Sequence, residues 1–349
     1  MLFNSKHLYE YISKVLQTTG LSKENSDIVS DSLIYANLRG VDSHGVTRLP
    51  IYMKRLTAGA INKNPEISVV KETKTSLLID GDNSMGQVVG NKAIDLGVKK
   101  AKKDGGAFVG INNSNHFGSA AYFIQKALNH DMIAFAMSNA PSTMAPWGGV
   151  KPYFGTNPYA FGFPTLNSPP IILDMATSIV ARGKIIMAAQ KGEQIPHGWA
   201  IDNKGNSTTN AQEALDGTVL PFGGPKGYAI SLMIDILSGV LTGAGYGTHV
   251  NNIYGDLDKT QNVGHFFKII NIDNFMNINN FKNRLNQMVN EIKNVPAISE
   301  KNEIFLPGEI EYNTEQKRKE KGIPIDNKVY EDIKKVGENS GIDIKEYHY

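Results

Sequence analysis

The sequence of 349 residues contains no cysteine. Disulfide frameworks, cysteine-ligated zinc, iron–sulfur clusters and thiol nucleophiles are therefore excluded. An excess of one charge is missing too. Thirty-six Lys and Arg face 34 Asp and Glu, a formal balance of +2, too even for a chain built to grip phosphate backbones, so no nucleic-acid partner is expected. The most apolar stretch, Tyr228 to Tyr246, carries Asp235 near its middle together with Ser231, Ser238, Thr242 and three glycines. That pattern suits a buried helix, and no membrane association is expected. The first residues, MLFNSKHLYEYISKVL, mix charged with apolar positions, which reads as no secretion signal and a cytoplasmic location by default. Nucleotide fingerprints are absent as well. No GxGxxG follows a strand-like run, and the Gly183-Lys184 pair has Ser178 where a phosphate loop needs its first glycine. The eight histidines, at 7, 44, 116, 130, 197, 249, 265 and 348, include no pair three or four apart, so no metal is expected.

What is present is ordinary globular material: 41% hydrophobic and 20% charged residues, in a chain long enough for two domains or one large one. Asn4 or Ser5 caps a helix running to Gly20, and Ser22 caps a second ending at Gly40. In VTRLPIYMKRLTAG, Pro50 requires a helix that starts close to Thr47 or one that kinks. From about Ile67, β-like runs (ISVV, SLLIDG, AFVGI, MIAFAMS, IILDMA) alternate with helical ones (Asn91 to Lys103, Ser119 to His130, Ser178 to Lys191), an α/β pattern. Pro141 to Pro164 is rich in glycine and proline and reads as a long irregular binding surface. A helix at about Pro225 to Leu241, the strand-like FFKIINI, a helix from about Asn279 to Asn294 and a charged helical tail complete the chain. The expected architecture is a helical domain from 1–66 and 302–349 around a central α/β domain of 67–301.

Three segments carry chemistry. In Asn113-Ser114-Asn115-His116-Phe117-Gly118, His116 follows a strand and precedes a helix, so its ring belongs at a strand's carboxyl end, where open α/β sheets bind ligands. A general acid/base fits there, and so does a turn histidine bonded to its own backbone. In Ser43-His44-Gly45-Val46-Thr47-Arg48, a helical segment would project His44, Arg48 and Tyr52 from one face. An arginine fork there could grip a carboxylate through two parallel hydrogen bonds, or simply form a surface ion pair. Phe222-Gly223-Gly224-Pro225-Lys226-Gly227 opens a helix with bare N–H groups and a lysine, a seat for phosphate or carboxylate. The basic run Lys317-Arg318-Lys319 reads as an exposed helix face.

In order along the chain, RGVDSHGVTR (39–48), NSNHFG (113–118), GTNPYAFGFP (155–164), LDMATS (173–178), LPFGGPKGY (220–228), LSGVLTGA (237–244) and LPGEIE (306–311) resemble the malate/L-lactate dehydrogenase family. That family is distinct from the Rossmann-type enzymes and includes L-sulfolactate and ureidoglycolate dehydrogenases. The resemblance implies an NAD(P)-dependent oxidoreductase that interconverts 2-hydroxy and 2-oxo acids, a non-Rossmann α/β fold with a mixed sheet, and a homodimer. NAD is the favoured cofactor. By motif match, His116 is the acid/base with His44 as a second catalytic histidine, and Ser43, Arg48 and Tyr52 meet the substrate. Asp174, Met175, Ala176, Lys226, Pro307, Gly308, Glu309 and the loop Gly155, Thr156, Asn157, Pro158 line the cofactor. Asn-Ser-Asn before His116 and Phe117 after it resemble the malate and sulfolactate members and favour malate or L-lactate. Ureidoglycolate is the alternative substrate, with sulfolactate or a cyclic imine behind it.

Overall fold

Local signals set the first elements. In the computed structural model, which describes residues 1–255, 257–299 and 302–347, β1 (Leu2–Phe3) precedes two capped helices. Asn4 accepts from the Lys6 and His7 N–H groups to start α1 (Ser5–Gln17), and Ser22 accepts from Asn25 to start α2 (Lys23–Leu38). Each such cap is worth about 1 kcal/mol against alanine. His348, in the charged tail, lies outside the described residues. Helix α3 (Leu49–Thr57) begins with Pro50 in its first turn, where the missing N–H goes unneeded.

The central part then alternates. Strands β2 (Ser68–Glu72) and β3 (Ser76–Asp80) lead to α4 (Gly86–Asp104), β4 (Gly106–Ser114), α5 (Ala120–Leu128) and β5 (Met132–Ser138). After the long loop come β6 (Tyr159–Phe163), β7 (Ile171–Met175) and α6 (Arg182–Lys191). Short pieces follow: β8 (Ala200–Ile201), β9 (Ser207–Thr208), α7 (Ala211–Asp216) and β10 (Thr218–Val219). Helix α8 (Pro225–Asp235) passes into a π-turn at Ile236–Val240, and β11 (Val263–Asn271), α9 (Ile278–Lys293), α10 (Glu309–Lys321), β12 (Ile323–Pro324) and α11 (Asn327–Asn339) finish the chain.

Seven strands form one mixed sheet in the order β2-β3-β4-β11-β5-β6-β7. Among the described residues β3 and β4 make its one parallel pair, joined by α4 as the crossover, and the other neighbours run antiparallel. Alternate residues of the middle strands, Val109 and Ile111 on β4 and Phe267 and Ile269 on β11, are buried in one core with Val89 and Ile94 of α4 and Phe123 and Ile124 of α5. Gly110, on the opposite face of β4, meets Thr242 beyond the π-turn. A second core joins the two chain ends. Phe3, Tyr11 and Leu16 pack with Tyr330 and Ile333, β1 pairs β12, and Tyr11 donates to the Ile333 carbonyl at 2.6 Å.

Four features depart from the sequence reading. Strand β6 lies inside the stretch expected to be irregular, its alternation hidden among glycines and prolines. Helix α6 starts at Arg182 instead of Ser178, because Ser178 and Ile179 pair with Pro221 and Leu220. A separate small core of Val180, Ile185, Ile195, Ala214 and Val219 forms around the three-stranded sheet β10-β8-β9. The run Lys317-Arg318-Lys319 is no plain solvated face, since Arg318 grips both Asp42 carboxylate oxygens at 2.7 and 3.0 Å and bonds the Asn37 carbonyl.

Candidate active site

The parallel pair β3–β4 ends where its crossover begins, and the backbone there is crowded. Asn113 takes a left-handed φ of 48° at the end of β4, and the Asn115 amide donates to the Asn83 and Ser84 carbonyls. A Cβ on Gly86, at the start of α4, would sit 2.2 Å from the Asn115 carbonyl oxygen and 2.7 Å from that of His116, so only glycine fits. Phe117 is buried and stacks on His265 at 4.5 Å with the rings nearly parallel. His116 is thereby fixed on both sides, and its N–H donates to Gln261 Oε1 at 3.0 Å. Its ring Nδ1 lies 2.7 Å from the Tyr52 hydroxyl, while its Nε2 makes no hydrogen bond among the described residues.

The second arm comes from residues 43–52, by a route the sequence did not predict. His44, Arg48 and Tyr52 do not share one helix. Two single 3₁₀ turns, Asp42–His44 and Val46–Arg48, meet at Gly45, and α3 starts only afterwards. A side chain at Gly45 would collide with Asn37, whose Oδ1 lies 2.2 Å from the ideal Cβ position, and that Oδ1 accepts the Val46 N–H. The three residues converge nonetheless. His44 stacks on His116 with ring centroids 5.6 Å apart. Ser43 Oγ lies 3.0 Å from His44 Nδ1, and its carbonyl accepts from Arg48 Nε at 2.7 Å. Arg48 Nη1 donates to the Tyr254 hydroxyl at 2.6 Å. One edge of the guanidinium is pinned by these bonds, which leaves Nη2 free of partners among the described residues.

Burial acts on this cluster in one direction. It favours neutral imidazoles, reinforced by the Arg48 charge, and pushes His44 from 6.5 to about 3. Burial, then Arg48, then the neighbouring histidines hold His116 well below its ordinary value. Tyr52 rises to about 12 because burial outweighs the opposing influence of Arg48 and the Gln87 hydrogen bond. The result is a protonated phenol against a neutral imidazole, beside a cation.

The segments matched to a cofactor converge at the far end of the sheet. Ile172, within β7, donates to the Pro307 carbonyl at 3.0 Å, and Gly308 is pressed against the Ile172 backbone. Thr177 donates to Thr156 at 3.0 Å and accepts from Phe222 at 3.1 Å, so 174–177, 155–158 and the start of α8 touch. Asn157 accepts from Ala140 and donates to Ser231, while Ser231 bonds the Gly155 carbonyl, which closes the loop ending at Pro158 onto α8. Asp174 ties this group to the histidine loop, since its Oδ2 accepts from Ser119 Oγ at 2.7 Å and Ala121 N–H at 2.9 Å. Met175 accepts from the Tyr159 hydroxyl at 3.4 Å, and Ala176 follows at the strand's end.

Two expectations here need correction. The N–H groups at the start of α8 are not bare, because Gly227 and Tyr228 donate to Phe222 and Gly224. The Glu309 carboxylate is occupied by Lys293 at 2.6 and 2.7 Å and by the Leu306 N–H. What stays open among the described residues is the exposed Lys226 ammonium, which has no ion pair, one oxygen of Asp174, and the buried Thr177 hydroxyl, which has no partner there. A cation, a carboxylate and a hydroxyl along one edge suit a phosphate-bearing dinucleotide, and the residues fit the group. Gln87, Gln261 and Tyr254 carried no signal in the sequence.

A family model described as malate/L-lactate dehydrogenase matches residues 3–334. Malate dehydrogenase of Pyrococcus abyssi is 42% identical over 343 residues, which cover 96% of this chain and 94% of that protein. Ureidoglycolate dehydrogenase (NAD(+)) of Escherichia coli K12 is 34% identical, covering 95% and 94%. The solved structure of sulfolactate dehydrogenase from Methanocaldococcus jannaschii superposes with a TM-score of 0.93 at 41% identity, over 99% of both chains.

Proposed function

Because the chain belongs to the malate/L-lactate dehydrogenase family, we propose that it is an NAD(P)-dependent dehydrogenase interconverting a 2-hydroxy acid and its 2-oxo acid. The observation that carries this reading is the pairing of a neutral His116, whose Nε2 is unpartnered, with the half-engaged Arg48 fork. His116 Nε2 takes the hydroxyl proton in oxidation and returns it in reduction, which a neutral imidazole can do and an imidazolium cannot begin. Arg48 holds the substrate carboxylate with its remaining N–H groups, and His44 with Ser43 closes the pocket on that side. A bound nicotinamide supplies the hydride acceptor for C2 of the substrate. Lys226 would hold a phosphate, and Asp174, with Met175 and Ala176, the ribose side. Pro307 to Glu309 and Gly155 to Pro158 contribute backbone.

A carboxylate at the ribose suits NAD and repels the extra phosphate of NADP, so Asp174 favours NAD. The substrate is of the malate or L-lactate type, with ureidoglycolate as the alternative. The same reading includes a cytoplasmic homodimer and a division into 1–66 with 302–349 and 67–301; for the division, one core is built mainly from the two chain ends, with Met85, Val88 and Ile253 added, and another from the central part. No helix among the described residues is long and apolar enough to cross a membrane. The test follows reduced-nicotinamide absorbance with a panel of 2-oxo acids, using each cofactor. Consumption with oxaloacetate or pyruvate is expected, and no consumption with any 2-oxo acid would overturn the reading.

A further inference from the structure

Gln87 lies at the start of α4, wholly buried, with its Nε2 2.9 Å from the Tyr52 hydroxyl oxygen. Its Oε1 is buried as well and has no partner among the described residues. Tyr52 has a single proton to give. While Gln87 donates to the hydroxyl oxygen, that proton points at His116 Nδ1, and the neutral ring must carry its own hydrogen on Nε2. A ring in that form has no lone pair toward the substrate and cannot act as the base. The competent form needs the whole chain reversed, with Nδ1–H donating to Tyr52 and Tyr52 donating to an acceptor beyond it. Among the described residues the one side chain in place to accept is the Gln87 amide, whose two ends are nearly the same shape and whose oxygen has no other partner there.

We propose that Gln87 is a positioning residue that selects the tautomer of His116: rotation of its amide turns Oε1 toward Tyr52, reverses the Tyr52 hydroxyl and frees the His116 Nε2 lone pair. Gly118 borders the Gln87 amide without a side chain of its own: an added Cβ there would crowd Gln87 Nε2 at 3.4 Å and Ser32 Oγ at 3.2 Å, the latter a second buried hydroxyl without a partner among the described residues. In oxidation the substrate hydroxyl proton then bonds to Nε2, and a bound nicotinamide would accept the hydride released from C2. The ring becomes an imidazolium whose Nδ1–H still rests on Tyr52, and the extra proton later leaves to solvent. Reduction retraces these steps, so both directions depend on the same amide. The assignment rests on the dehydrogenase reading for its kinetic consequence alone.

The test compares Gln87→Met, similar in shape but with a thioether that accepts only weakly, with Gln87→Glu, which presents an oxygen in either protonation state. Nitrogen-15 spectra of histidine-labelled protein, with the His116 signals identified by their loss in His116→Asn, read the tautomer without any turnover. Wild type and Gln87→Glu are expected to populate the Nδ1–H form, and Gln87→Met to collapse to Nε2–H. In 2-hydroxy-acid oxidation Gln87→Met should lose roughly 10- to 100-fold in kcat with KM within about two-fold, while Gln87→Glu keeps at least about a third of the wild-type rate. Identical tautomer populations in the three proteins, or equal kinetic losses in the two variants, would overturn the proposal. If wild type turns over no 2-hydroxy acid, the dehydrogenase reading fails, while the spectra still decide the role of Gln87.

Discussion

Two histidines neighbour Phe117, His116 beside it in the chain and His265 stacked on its ring, and burial treats them alike. His265 is pushed down to about 3 by burial, against a hydrogen bond to the Asn115 backbone carbonyl that raises it, and His116 is held low by burial together with Arg48. Their hydrogen bonds differ. His265 has Ser114 Oγ 2.8 Å from Nε2 and Ser138 Oγ 2.9 Å from Nδ1, so both nitrogens are satisfied inside the sheet. His116 has Tyr52 on Nδ1 and, among the described residues, nothing on Nε2. Depressed basicity therefore marks an environment, whereas a reactive group is marked by the nitrogen the protein leaves unused.

The strongest way to break that distinction is to remove the ring said to react. His116→Ala should lower kcat by roughly two to four orders of magnitude while the cofactor's affinity changes little. Stopped-flow binding of the reduced dinucleotide and steady-state turnover separate the two effects, and near-normal turnover would return His116 to the same structural class as His265.

A smaller effect is expected on the anion side. Arg48 is pinned through Nε to Ser43 and through Nη1 to Tyr254, so its remaining N–H groups are aimed by those two bonds. Arg48→Lys keeps the charge but loses the planar fork, and KM for carboxylate substrates should rise about ten-fold with a lesser change in kcat. A KM within error of wild type would mean that the guanidinium only buttresses the Ser43 turn.

How much of this was legible in the sequence depended on the range of the interaction. Asn4 and Ser22 cap the helices that their spacing predicts, and His116 stands at a strand's carboxyl end as its motif requires. The partners that orient His116 were invisible. Tyr52 and Gln87 lie 35 residues apart and Arg48 and Tyr254 lie 206 apart, so only tertiary packing joins them. His44, Arg48 and Tyr52 were grouped correctly for the wrong reason. Their four-residue spacing suggested one helix, yet Gly45 breaks it, and convergence comes from the turn that Asn37 props open. Strand β6 was lost because Gly162 and the flanking prolines read as loop. Gly162 is needed there because Ile124 fills the space, 2.1 Å from where a Cβ would be.

The smallest expected effect sharpens the other half of the comparison, in stability alone. The folded state keeps His265 neutral down to about pH 3, whereas the unfolded chain takes up a proton below about 6.5. Between those values the unfolded state binds more protons, so the stability contributed by the buried ring is complete above about pH 7 and declines as pH falls toward 3. At pH 5 the loss from this one group is up to about 2 kcal/mol. His44 and His116, also held neutral, push in the same direction. His265→Gln removes one such group. By urea unfolding it should be less stable than wild type at pH 7.5, because the Ser114 and Ser138 hydroxyls lose their shared partner, and the gap should narrow at pH 5. A gap that stays constant between the two pH values would mean that folding leaves the basicity of His265 unchanged and that its ring takes up a proton by pH 5 in the folded protein, and the two imidazoles next to Phe117 would then differ in charge as well as in exposure of a nitrogen.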